Sequence, residues 1–374
     1  MASRIARSRE ALGAPVPPPW AVRAGLRIRA AVDQLHSRMV PGFNLVLERV
    51  LGLVDTKALY CAVDLRLPEL LADGPQTSVQ LAVASESDPD AIERLLRFLV
   101  SRGFFKHRNG RYANNAASDI LRADHPYSCR DWVLFFGSEW NARIWNEMPG
   151  RVRTGKAAAE AALGVPFFTY LTDTNAEAGR EFAGAMAAGS RLQGLLFAEN
   201  IDLGGVKHVC DIGGGSGSVL AHLLRVHPEL RGVVFDLPQL EPEARAVFEA
   251  AGVGGRATFV GGDFFEAVPA GCDLYLLFAV VHDWDDARCA LILSNIREAM
   301  VPGGRIMVIE GIVPTHGGEH FLKTTDMLML VLSDGGRERT DAEFETLWER
   351  AGLRLSRRTM LPSTFQVFEL VPRE

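Results

Sequence analysis

The second half of the chain alternates short apolar runs with helical patterns. The first run, Val206-Lys-His-Val-Cys-Asp-Ile212, breaks into Gly213-Gly-Gly-Ser-Gly217, and a helical pattern follows from Ser218 to Arg225. Four more apolar runs come after it: Gly232–Asp236, Ala257–Gly261, Cys272–Val281 and Gly304–Glu310. Strands that alternate with helices predict an open α/β sheet. The first half reads differently. A short helix starts at Thr77-Ser78, and a second spans 88–102 with Ile92, Leu95, Leu96 and Leu99 on one face. Gly103 ends it, and Asn109-Gly110 marks a hairpin turn. Helix, turn, helix and hairpin predict a winged helix. Residues 130–200 read as helical and aromatic-rich, with most of the rings in the core.

The polar residues at the strand ends carry the chemistry. In open α/β sheets, ligands bind beyond the carboxyl ends of the strands. A strand, a glycine turn and a helix suit a nucleoside cofactor, because Gly213 and Gly215 let backbone approach it closely. NAD and S-adenosylmethionine (SAM) are the candidates. The dinucleotide template wants a third glycine where Ser218 stands. SAM needs no pyrophosphate turn, and Asp211 is placed to hold its ammonium directly or through water. Asp236, 25 residues after Asp211, suits the ribose hydroxyls that both cofactors share. Asp263 beside Phe264 suits adenine, which offers an amino donor and a π-face.

Together, Asp211-Ile-Gly-Gly-Gly-Ser-Gly217, Phe235-Asp-Leu-Pro238, Gly261-Gly-Asp-Phe-Phe265, His282-Asp-Trp-Asp-Asp286, the Glu310 strand, and Asp326-Met-Leu-Met-Leu with Gly335-Gly-Arg-Glu-Arg-Thr340 resemble the SAM-dependent O-methyltransferase family. That family includes plant phenolic, bacterial polyketide and hydroxyneurosporene-type enzymes. The resemblance covers roughly 180–374 and extends more weakly back to about residue 45. It implies a Rossmann-like SAM methyltransferase sheet at 201–374 and a winged-helix homodimerisation domain at 45–125. It also implies a helical linker at 126–200 lining the acceptor pocket. His282 is then the general base, and Asp283, Glu310 and Glu338 are the acids that orient it. Asp211, Gly213, Gly215, Asp236, Leu237, Gly262, Asp263 and Phe264 fall on the cofactor. Phe278 stands where plant members carry a Lys near adenine, four residues before the His. Trp145, Phe168, Met186, Trp284, Asp326 and Met329 fall on the acceptor.

The chemistry is consistent with that assignment. A phenol with a pKa of about 10 is a poor nucleophile until a base removes its proton. Histidine, at about 6.5, suits the task. The expected acceptor is a small hydroxylated molecule, aromatic or polyketide-like. A carotenoid or lipid alcohol is the alternative, and a DNA-binding winged-helix regulator is the rival outside enzymes. Charge argues against the regulator: the net charge is −6, and the acids and arginines of 88–102 balance. Five cysteines without a C-x-x-C pair suggest reduced thiols and a cytoplasmic home. No metal-ligand cluster is legible. Residues 1–44 form a basic tail and helix, with seven Arg against two acids up to Val40, a local charge of +5. No run is long enough to span a membrane, so a peripheral membrane contact is the sharper alternative for this tail.

Overall fold

The protein is described here from a computed structural model covering residues 18–315 and 318–373. The basic stretch 1–17, part of the expected N-terminal tail, lies outside the described residues. These divide into two compact units, one of 18–36, 150–158 and 190–373, the other of 37–149 and 159–189.

The first unit is built on a seven-stranded sheet. Its strands are β3 (His208–Ile212), β4 (Arg231–Asp236), β5 (Ala257–Gly261), β6 (Leu274–Phe278), β7 (Arg305–Gly311), β8 (Leu353–Met360) and β9 (Phe365–Pro372). Their order is β5-β4-β3-β6-β7-β9-β8. The five expected strands are parallel, and β9 adds antiparallel to β7, with β8 beyond it. This C-terminal hairpin was not anticipated from the sequence. Leu353, Val367, Phe368 and Leu370 are buried within it.

Successive residues of the central strands are buried in opposite cores. Leu274, Leu276 and Phe278 of β6 join one core, while Tyr275 and Leu277 join the other. Both faces are covered by helices, which is why these strands read as continuous apolar runs. From β3 the chain runs outward through β4 and β5, then returns to place β6 on the other side of β3. The carboxyl ends of β3 and β6 therefore form the switch point at which such sheets bind ligands.

The second unit contains the helices Ser78–Ala84 and Pro89–Ser101 and the hairpin β1 (Lys106–Arg108) and β2 (Arg111–Ala113). Thr77 caps the first helix through a capping box with Gln80, and the Asp88 carboxylate accepts from the Ala91 N–H at 2.8 Å. Leu81, Ile92, Leu96, Leu99 and Tyr112 pack one core with Ala62 and Leu67. The long helix Ala176–Asn200 contributes its first part to this unit and its last part to the other. No helix among the described residues is long and apolar enough to cross a membrane.

Candidate active site

The glycine loop after β3 owes its shape to backbone conformation. Gly213, Gly215 and Gly217 have φ of +66°, +56° and +73°, a region costly for any residue with a side chain. The Gly213 N–H donates to the Phe235 carbonyl at 2.8 Å, tying the loop to β4. A Cβ on Gly215 would meet nothing within 4 Å, so the loop presents bare backbone to open space there. Asp236, at the tip of β4, accepts from the Gly215 N–H and the Leu237 N–H, each at 2.7 Å.

Asp211 is fully buried beneath this loop, where a Cβ on Gly214 would come within 2.8 Å of its carboxylate. Neither carboxylate oxygen has a well-formed hydrogen bond among the described residues. Burial, then the nearby Asp236 charge, push its pKa up to about 7, with the Leu220 N–H drawing it partly back. At the third tip, the Asp263 carboxylate accepts from the Phe265 N–H at 2.8 Å. The Gly262 N–H donates to the Asp236 carbonyl at 3.0 Å. Phe264 meets Trp284 edge-on at 5.9 Å. Phe278 is only 8% exposed; one ring face stacks on Phe365 at 6.0 Å, and Phe197 approaches edge-on. Little of that ring is left to meet a ligand.

Beyond β6, a short turn at Val281–Asp283 carries His282. The side chain of Val280 is the nearest neighbour a Cβ on Gly213 would meet, at 2.9 Å, so turn and glycine loop abut. Two buried acids converge on the imidazole. Its Nδ1 lies 3.3 Å from Glu338 Oε1 and 3.6 Å from Glu310 Oε2, while Nε2 lies 3.8 Å from Asp283 Oδ1. The His282 backbone N–H also donates to Glu310 Oε1 at 3.2 Å. Thr325 donates to Glu338 Oε1 at 2.8 Å, and the Glu338 N–H donates to Asp326 at 2.9 Å. Burial alone would lower the imidazole pKa, but the charges of Glu310, Asp283 and Glu338 outweigh it and push it up to about 10. Burial raises Glu310 to about 7, against the opposing pull of His282, and it raises Asp283 as well. Nδ1 thus faces the carboxylates of Glu338 and Glu310, and Nε2 lies nearest that of Asp283.

The remaining expected site residues are spread more widely. Trp284 packs against Phe265 and under Arg288. Met327 and Met329 lie on the helix Phe321–Leu332, where two positions are about 200° apart. Met329 is buried and Met327 is 38% exposed, so the two face different ways. Trp145, Phe168 and Met186 lie in the second unit, each half-buried. Sequence reasoning passed over Thr325 and Arg339, because polar residues on a helix or in a loop carry no signal of what they touch. The groups His282, Glu310 and Glu338 could also hold a metal ion by their mutual distances, which no spacing in the sequence foretold.

A sequence-family model described as an O-methyltransferase domain matches residues 145–354. The chain belongs to the O-methyltransferase family. A second model, the O-methyltransferase dimerisation domain, matches 47–124. The chain is 36% identical over 308 residues to the mitomycin biosynthesis 6-O-methyltransferase of Streptomyces lavendulae, covering 82% of this chain and 87% of that protein. It is 35% identical over 334 residues to a phenazine O-methyltransferase of Lysobacter antibioticus, covering 89% and 97%. A methyltransferase of calicheamicin biosynthesis, solved in its SAH-bound form, matches with a TM-score of 0.79 at 31% identity, covering 89% of this chain and 100% of that one. The chain is thus a SAM-dependent O-methyltransferase with the α/β sheet its sequence predicted. Neither the lipid-alcohol acceptor nor the DNA-binding regulator finds support among these relatives.

Proposed function

We propose that this O-methyltransferase methylates a hydroxyl of an aromatic or polyketide-like small molecule, with His282 as general base. The observation that carries the proposal is the imidazole at the switch point, 18% exposed, with Nδ1 held by two buried carboxylates. The names of the relatives, a phenazine O-methyltransferase and an O-methyltransferase of mitomycin biosynthesis, support the acceptor class.

The residues at the strand ends fit the cofactor. The bare backbone at Gly215, with Gly213 beside it, would take the methionine end, and the poorly satisfied Asp211 would answer its ammonium through the loop or a bridging water. Asp236 would exchange backbone partners for ribose hydroxyls, with Leu237 and Gly262 beside it. Asp263 and Phe264 would meet adenine, and Phe278 would contribute packing behind the site. When bound, SAM supplies an electrophilic methyl on a cationic sulfur. The chain's own part is to orient the acceptor and take its proton. Nε2 of His282 receives that proton, and Glu338 and Glu310 stabilise the imidazolium that results. Trp284, Asp326, Met329, Trp145, Phe168 and Met186 are the proposed acceptor residues. A metal is not needed for this step.

We also infer a homodimer through a winged-helix domain at 45–125. The dimerisation-domain match supports it, as do the exposed apolar side chains of the helices Gly42–Val50 and Gly52–Asp64. Five free thiols favour a cytoplasmic location.

The test is His282→Ala. Cofactor affinity by calorimetry is expected to persist, while turnover on phenols presented with labelled SAM drops by about 10²–10⁴-fold. Turnover at the wild-type rate would remove His282 as the base.

A further inference from the structure

The turn that bears His282 is short, with the Asp283 N–H donating to the Val280 carbonyl at 3.1 Å. It comprises three residues, Val281–Asp283, and is entered through Ala279 at φ +53°, a left-handed conformation that costs a side-chain-bearing residue about 1–2 kcal/mol. A distant segment adds to its support. Gly335 and Gly336 let that segment in: a Cβ on Gly336 would stand 2.7 Å from the His282 carbonyl oxygen and 2.8 Å from that of Asp283. Arg337 follows, its N–H donating to the His282 carbonyl at 2.8 Å.

Arg339 completes the contact. Its side chain is fully buried. Nη1 donates to the Val281 carbonyl and Nη2 to the Trp284 carbonyl, each at 2.8 Å. Nε and Nη2 reach Asp286 Oδ1 at 3.0 and 2.9 Å. Val281 and Trp284 bracket the histidine, so one planar fork spans both ends of the turn. A lysine ammonium, a point charge, has no geometry for such a span.

We propose that Arg339 is the positioning residue for His282. Glu338 lies between Arg337 and Arg339, both of which bond to the turn. Pinning Arg339 to residues 281 and 284 therefore holds the backbone that carries Glu338 beside the backbone that carries the imidazole, and Thr325 then orients the Glu338 carboxylate. In this way the guanidinium supports the Nδ1-to-Glu338 contact, without touching a reacting atom itself. The proposal rests on the reading of His282 as the base.

Two variants test it in the full-length enzyme. Arg339→Lys keeps the charge and loses the fork. Asp286→Asn keeps the fork and loosens its anchor, and it serves if the first variant does not fold. Three readouts are taken: SAM binding sites and affinity by calorimetry, kcat per binding site, and the titration of the ring of His282 by NMR on ¹³C-histidine protein, assigned with His282→Gln. The expected result is SAM affinity within about twofold and kcat per site down by about 10–100-fold for Arg339→Lys, with a smaller loss for Asp286→Asn. The His282 titration moves to lower pH in both, because a carboxylate that raises it is no longer held in place. A rate that falls only in proportion to lost binding sites, with the titration unmoved, means that the guanidinium merely holds the core, and it overturns the proposal. A shifted titration, in a protein whose His282→Gln variant still turns over, sinks the base reading and leaves the positioning role standing.

Discussion

His282 is an imidazole surrounded by acids, and that sets how the enzyme should respond to pH. Glu310, Asp283 and Glu338 hold its pKa far above the ordinary value despite burial. An imidazole that is already protonated accepts nothing, so turnover with saturating SAM is expected to climb as pH rises until that proton leaves. Removing one of the raising charges with Glu338→Gln should move this limb to lower pH while lowering the maximum by about 10-fold or more, through lost orientation. A pH–rate profile unchanged in position would show that Glu338 does not act on the base. Asp211 makes a separate prediction about stability. Its folded-state pKa of about 7 lies above the ordinary carboxylate value. The folded chain therefore holds that proton more tightly than the unfolded one. The stabilisation is present below about pH 4 and is lost as pH rises through about 7. Without cofactor, Asp211→Asn should gain on the parent in melting temperature across that window, and a constant difference would contradict the burial argument.

At the level of the element, the glycine loop combines two requirements that sequence pattern alone does not separate. Gly215 has open space where a Cβ would stand, which suits the close cofactor approach proposed for it. Gly217 answers to backbone and packing instead: φ is +73°, and a Cβ there would sit 2.5 Å from the Phe248 ring. Gly217→Ala should cost about 1–2 kcal/mol in conformation and about 1–3 kcal/mol in overpacking, seen as a melting point several degrees lower. Gly254→Ala, with ordinary φ and open space around it, is the control and should change little. Equal effects at the two positions would refute the steric account. The turn after β6 and the Gly335–Arg339 segment obey the same logic, since one element borrows from another the hydrogen bonds it cannot make itself.

For the whole molecule, the exposed face of the second unit is the feature to test. Phe43 is 74% exposed and Val50 67%, with Val46, Leu51 and Leu53 beside them in the chain. So much apolar surface within a few turns calls for a covering partner. Phe43→Glu with Val50→Glu is expected to convert a two-chain particle to single chains by light scattering at micromolar concentration. An unchanged mass would place the dimer contact elsewhere. Much was legible before the fold was seen. The five parallel strands, the polar tips at Asp211, Asp236, Asp263 and His282, and the helix, helix, hairpin order follow from local periodicity and punctuation, which residues close in sequence settle among themselves. The pairing of the C-terminal hairpin with β7, the burial of Phe278 against Phe365, the opposite facing of Met327 and Met329, and the grip of Arg339 on the His282 turn were not legible. These depend on residues 50 or more positions apart, or on which face of a helix meets a core, and only chain packing brings such groups together. Sequence determined which groups are the candidates for the chemistry. Tertiary structure decided which acid each nitrogen of His282 faces, because a hydrogen bond is set by a distance and an angle, and a string of residues specifies neither.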